Sequence, residues 1–183
     1  MSIWTKDGQL EAYVFERDIG EAGIDGLKGS FADAPGVGFV AQFVGAFSLF
    51  ARVVASDLSE LQGRIKGAYW EAGIHSDWSL NLTAERAAAP KRASPDICAL
   101  VCARVSGDPF RVLDALDDRF LTEGAYGAAV VTAADFDLLI DLGGDSVEQL
   151  IERVLALRQV DGVGRTATSI ADLADNAIRP MAS

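Results

Sequence analysis

The chain has 183 residues, enough for one large domain or two small ones, and half of them are hydrophobic, so it can bury a core. Its formal net charge of -11 repels phosphates, and the Lys and Arg residues are scattered. Direct nucleic-acid binding is therefore disfavoured. The first residues, MSIWTKDGQLEAYVFERD, lack the basic and apolar regions of a signal peptide, and no apolar run approaches the ~20 residues of a spanning helix. A cytoplasmic protein with no membrane partner is expected.

In chain order, residues 10–17 read as a strand, 21–33 as a helix, 37–44 and 47–54 as strands, 58–72 as a helix and 76–82 as a strand. Asp57 or Ser56 caps the second helix. TAERAAAPKRASP, with the densest basic group (Arg86, Lys91, Arg92), reads as a tether. ICALVCARV at 97–105 is the next strand. Cys98 and Cys102 share one face of it, too far apart to bridge, and read as small core residues. Gly107, Asp108 and Pro109 start a helix carrying Val112, Leu113, Leu116, Phe120 and Leu121. Residues 125–133 and 136–142 read as two strands of a hairpin. Asp145 or Ser146 then caps a helix with the stripe Val147, Leu150, Ile151, Val154 and Leu157. Asp161, Gly162 and Val163 turn the chain into a last strand, 165–171.

The chain also resembles itself. Shifted by 89 residues, Asp25 meets Asp114, Leu27 meets Leu116, Phe47 meets Phe136, Leu61 meets Leu150 and Gly73 meets Gly162. The expected fold class is α+β: two tandem ferredoxin-like β-α-β-β-α-β units. Their antiparallel sheets would pack face to face, as a pseudo-dimer of the dimeric α+β barrel kind. The first copy would span 1–83, a linker 84–95, the second copy 96–175 and a tail 176–183 that is mobile or makes a short edge contact.

The second copy resembles the effector-binding domain of the Lrp/AsnC regulator family. Ala134, Asp135, Phe136 and Asp137 stand at that family's Gly-x-Tyr/Phe-Asp, and Gly162, Val163, Arg165, Thr166 and Thr168 at its Gly-Val-x-Arg-Thr-x-Thr. The family's helix-turn-helix is not found in this chain. The resemblance implies a small-molecule sensor without its own DNA-binding part, binding an amino acid or similar metabolite and acting by ligand-biased assembly or through a protein partner. It implies a ligand site at Asp135, Asp137, Gly143, Gly144, Asp145, Thr166 and Thr168, and a homo-oligomer.

Individual residues add little chemistry. His75, the single histidine, is the weak candidate for a general base or haem ligand; a polar residue at a strand entrance is the plainer reading. Asp114, Asp117 and Asp118 read as a solvated helix face. Asp135, Asp137 and Asp141 alternate along one strand and could line a groove or face solvent. Trp4, Trp70 and Trp78 read as packing residues. No metal or cofactor is indicated, and the residues favour binding over catalysis. Two alternatives stand beside the sensor: a cofactor-free monooxygenase-type enzyme of the dimeric α+β barrel class using His75 or Asp137, and a structural assembly protein.

Overall fold

The computed structural model describes residues 8–17, 19–75, 79–88, 97–120, 126–132, 136–172 and 177–178. Along them run β1 (Leu10–Glu16), α1 (Glu21–Asp33), β2 (Val37–Gln42), β3 (Val44–Gly45), β4 (Leu49–Ala55), α2 (Leu58–Glu71) and β5 (Ser79–Ala88). The same order then returns as β6 (Ile97–Val105), α3 (Pro109–Phe120), β7 (Tyr126–Thr132), β8 (Leu138–Gly144), α4 (Val147–Leu157) and β9 (Val163–Asp172), followed by β10 (Ala177–Ile178). The fold is α+β, with antiparallel pairing throughout and four helices among the described residues. β5 runs on to Ala88, into the stretch expected to be a tether.

Alternation along the strands divides the apolar residues between two cores. In β1, Leu10, Ala12 and Val14 pack with Ile24, Leu27 and Phe31 of α1 and with Leu61 and Ile65 of α2. In the second half, Ala99, Val101 and Ala103 of β6 do the same with Val112, Leu113 and Leu116 of α3 and Leu150 and Leu157 of α4. The helices start where their caps are. The Asp57 carboxylate accepts from the Glu60 N–H at 2.8 Å, and the Ser146 hydroxyl accepts from Gln149 N–H at 3.2 Å. Each fully buried leucine or isoleucine contributes about 1.5–3 kcal/mol by leaving water. Buried between helix and sheet, the Tyr69 hydroxyl donates to the Glu16 carboxylate. Desolvation and that carboxylate push the Tyr69 phenol far above its ordinary range.

The strands form one ladder in the order β10-β2-β4-β1-β5-β7-β8-β6-β9-β3. The halves are therefore joined edge to edge, through β5 and β7. The other edges also meet. β3 continues β2 and pairs with β9, while β10, beyond β9, pairs with β2 at Ala177↔Ala41 and Ile178↔Val40. The sheet thus curls into a barrel. Its interior gathers Tyr13, Phe15, Phe43, Phe47 and Phe50 from the first half with Cys98, Leu100, Cys102, Phe136 and Leu139 from the second. A barrel of about eight strands has just enough room inside for its own side chains.

The junction at β3 is tight. Gly45 has φ 139°, and a Cβ there would lie 2.5 Å from the Thr168 carbonyl oxygen. Only glycine suits that conformation and that approach. Next to it, the Phe47 N–H donates to the Ser169 hydroxyl at 2.8 Å and the Ala46 N–H to Thr168 O at 3.2 Å. Among the described residues, no helix is long and apolar enough to cross a membrane.

Candidate functional site

The registers set out two matching rows across the barrel's inner face. In the first half, Tyr13 on β1 lies between Arg52 on β4 and Asn81 on β5. In the second, Leu100 on β6 lies between Asp141 on β8 and Ser169 on β9. The shift of 89 residues thus holds from β4 to β8 and slips by one or two residues at β1 and β5.

The first row is the polar one. The Tyr13 hydroxyl donates to Glu11 Oε1 at 2.5 Å, and Arg52 Nη2 donates to Glu11 Oε2 at 2.8 Å. Glu11 is 2% exposed, while the Arg52 side chain is 31% exposed. The hydrogen bond and charge of Glu11 hold the Arg52 guanidinium above its ordinary pKa, against the opposing effect of burial. Gly38 faces this guanidinium: a Cβ there would lie 2.8 Å from Nη1. Asn81 Nδ2 donates to Tyr13 O at 3.2 Å. Arg52 Nε and Thr83 Oγ1 are buried with no hydrogen-bond partner. Buried ionic groups with unused donors are costly to keep and are common where ligands bind or protons move.

Sequence reasoning missed this cluster. Glu11, Tyr13 and Arg52 are 41 positions apart at the extremes, so no local spacing joins them. The available signal was a strand with a glutamate and a tyrosine on the same face, EAYVFE.

The residues singled out from sequence lie in several places. Asp137 sits before β8, at the barrel end away from Gly144; its carboxylate accepts from the Val105 N–H at 2.9 Å and lies 3.6 Å from Arg104. Gly143 and Gly144 are the last residues of β8, and the Gly143 carbonyl accepts from Arg153. Asp145 follows them, its N–H donating to Gln149. Thr166 accepts from Arg158 Nε at 2.9 Å, and Thr168 Oγ1 is buried without a partner. Both threonines alternate with Ala167 and Ala171, which pack in the interior core, so they lie on the helix side of β9. Asp135 lies outside the described residues, as do Trp4 and Trp78.

His75 is exposed in the turn after α2, its ring edge-on to Trp70 at 6.2 Å between centroids. Cys98 and Cys102 are buried and form no disulfide, and burial pushes the Cys102 thiol well above its ordinary range. A cleft of about 410 Å³ lies at the barrel seam, lined by Gln42, Phe43, Val44, Ile170, Ala171 and Asp172. Among the described residues, no group of three His, Cys, Asp or Glu could hold a metal ion.

No protein-family profile matches the chain, and no curated protein is similar to it in sequence. Solved structures do share its fold. The siroheme decarboxylase NirDL, in co-complex with an iron-uroporphyrin III analogue, is 10% identical with a TM-score of 0.69, covering 90% of this chain and 71% of that one. A putative monooxygenase from Lactobacillus acidophilus is 10% identical with a TM-score of 0.60, covering 89% and 92%. A heme-binding protein from Thermus thermophilus is 13% identical with a TM-score of 0.53, covering 88% and 90%.

These likenesses correct the Lrp/AsnC resemblance and the reading drawn from it. The neighbours are a siroheme decarboxylase, a putative monooxygenase and a heme-binding protein, and an amino-acid-type effector has no support among them. The physical reason is that the matched motif reports the split β-α-β-β-α-β order. Gly162 has φ 87° in the turn that starts β9, and the threonines follow on that strand. Such a pattern belongs to the fold and carries no ligand chemistry.

Such neighbours raise the question of a resident haem, and the described residues do not fit one. The single histidine is in an exposed turn and the thiols are packed in the barrel. Tyr13 and Tyr69 are committed to carboxylates. Among the described residues, each half packs apolar side chains between its helices and its sheet.

Proposed function

We propose that this protein binds a flat, carboxylate-bearing ligand of the tetrapyrrole class as substrate or cargo, without holding haem as an iron-ligated cofactor. The observation that carries this reading is the fold shared along nine-tenths of the chain with a siroheme decarboxylase. Arg52 supports it: its guanidinium, on a side chain 31% exposed, suits a ligand carboxylate. The test is an absorbance titration with iron-uroporphyrin III, read at the Soret band. A saturable shift is expected, weakened about tenfold or more in Arg52→Met and unchanged in position in His75→Ala. The absence of any saturable change up to ~100 µM would refute it.

The Tyr13–Glu11 contact of 2.5 Å favours a second reading, an enzyme of the dimeric α+β barrel class that needs no resident cofactor. Glu11 would exchange a proton with the ligand through the Tyr13 hydroxyl, with Arg52 holding the carboxylate ionised. Tyr13→Phe would then abolish turnover and leave binding in place.

The repeated order of elements supports a tandem duplication, with units at 1–83 and 96–175 as the parental halves. The matched rows, the paired Phe47 and Phe136, and the equivalent caps Asp57 and Ser146 favour it. Two cysteines that form no disulfide suit a reducing cytoplasm.

A further inference from the structure

Helix α4 carries an apolar stripe on its outer side. Val147, Ile151 and Leu155 are 43%, 50% and 53% exposed, at successive i, i+4 steps, while Leu150 and Leu157 on the other side are fully buried. The stripe is not a general property of this layer. The matching positions of α2 are Leu58, Gln62 and Lys66, two of the three polar. Three branched apolar side chains in one row on an otherwise acidic protein need a reason beyond packing of the chain itself.

The charges around the stripe select the occupant. Asp145 and Glu148 stand exposed at its start, and Arg158, on the same line of the helix, stands exposed at its end. A helix laid antiparallel on α4 must therefore offer a cation at the acidic end, an anion at the basic end and branched apolar residues between. A second copy of α4 meets all three demands at once. Turned about a two-fold axis near Ile151, it sets Val147 against Leu155 of its mate and each Arg158 against the other copy's Asp145 and Glu148. Such a contact is self-complementary, as a two-fold interface has to be.

We infer that α4 is the homodimerisation surface of this protein, and that the two copies of α4 pair antiparallel through Val147, Ile151 and Leu155. Neither the ligand proposed above nor the Arg52 cluster enters this contact.

Sedimentation of the full chain tests it. Wild type is expected at about twice the 19.4 kDa chain mass. Ile151→Glu/Leu155→Glu is expected at the single-chain mass, with its circular-dichroism melt showing that it remains folded. Gln62→Glu/Lys66→Glu on α2 should leave the dimer intact. A charge swap reads the register: Arg158→Glu alone and Asp145→Arg/Glu148→Arg alone should each dissociate more than tenfold more easily, and an equimolar mixture should restore a mixed pair. A wild type that stays at one chain mass up to ~100 µM overturns the proposal and leaves the stripe for a different protein. So does a dimer that survives Ile151→Glu/Leu155→Glu, or a mixture that fails to restore pairing.

Discussion

The two halves of the barrel share one plan and differ in where they put their polar residues. On the inner face, the first half places Glu11, Tyr13 and Arg52, where the second half has Cys98, Leu100 and Asp141. On the outer face the contrast reverses: α2 is polar at its middle, while α4 exposes Val147, Ile151 and Leu155. A fold that repeats its architecture can thus differ in content, with the charged cluster in the first half and a continuous apolar row on a helix in the second.

The largest effect expected on this comparison comes from the shared aromatics. Phe47 and Phe136 occupy matching places and meet at 6.2 Å between ring centroids. Each truncation to alanine should cost about 3–5 kcal/mol in urea unfolding. The two should be non-additive by about 1 kcal/mol, because the rings touch. Full additivity would mean that the halves do not share a core at this end.

Next comes the ion cluster, which only the first half has. Arg52→Met strands the buried Glu11 charge and should cost about 3 kcal/mol. Replacing both, as Glu11→Leu/Arg52→Met, should recover most of that loss. A double variant at least as stable as wild type would show that the first half keeps its charges for function; one as unstable as Arg52→Met would make them structural.

The helix caps should behave alike in both halves. Asp57→Ala and Ser146→Ala should each cost about 1 kcal/mol in thermal unfolding. Ser56 hydrogen bonds hold the Glu60 carboxyl below its ordinary value of 4.5. Backbone and Ser146 hydrogen bonds lower Glu148 likewise. A lowered folded-state pKa adds stability that is complete above the unfolded value and is lost as pH falls through the folded one. Melting temperatures should therefore drop as the solution is acidified below about pH 4.5, and Glu60→Gln should flatten part of that drop.

The smallest signal is chemical. Cys98 and Cys102 are buried, and the Cys102 thiol is held protonated by its surroundings. A thiol-specific disulfide reagent should label neither in the native protein and both once urea has unfolded it. Rapid native labelling would mean that the second half's interior opens on its own.

Much of the fold was legible because hydrophobic period is local information. The 97–105 strand, the 21–33 helix and the Asp57 and Ser146 caps follow from residues within a turn of one another. A barrel-like pseudo-dimer and a possible edge contact of the tail were legible, but the strands that close it were not, since β3 and β10 are two residues each and are strands only because a distant edge receives them. The Glu11 cluster escaped for a related reason, as its three members meet by register across β1 and β4. The Gly-Val-x-Arg-Thr-x-Thr pattern misled because it records a turn and a strand start, which many ligand chemistries share.

The crossed closure at β3 and β10 also sets an order of events during synthesis. The first half can emerge and wrap its helices onto its sheet, but among the described residues the outer edge of β2 is received by β10 at residues 177 and 178. Its neighbour β3 has to wait for β9. Until those late residues leave the ribosome, a nascent chain carries an unpaired strand edge, the kind of template that neighbouring chains can join. Translation speed across the second half should therefore govern how much of the product is recovered in soluble form.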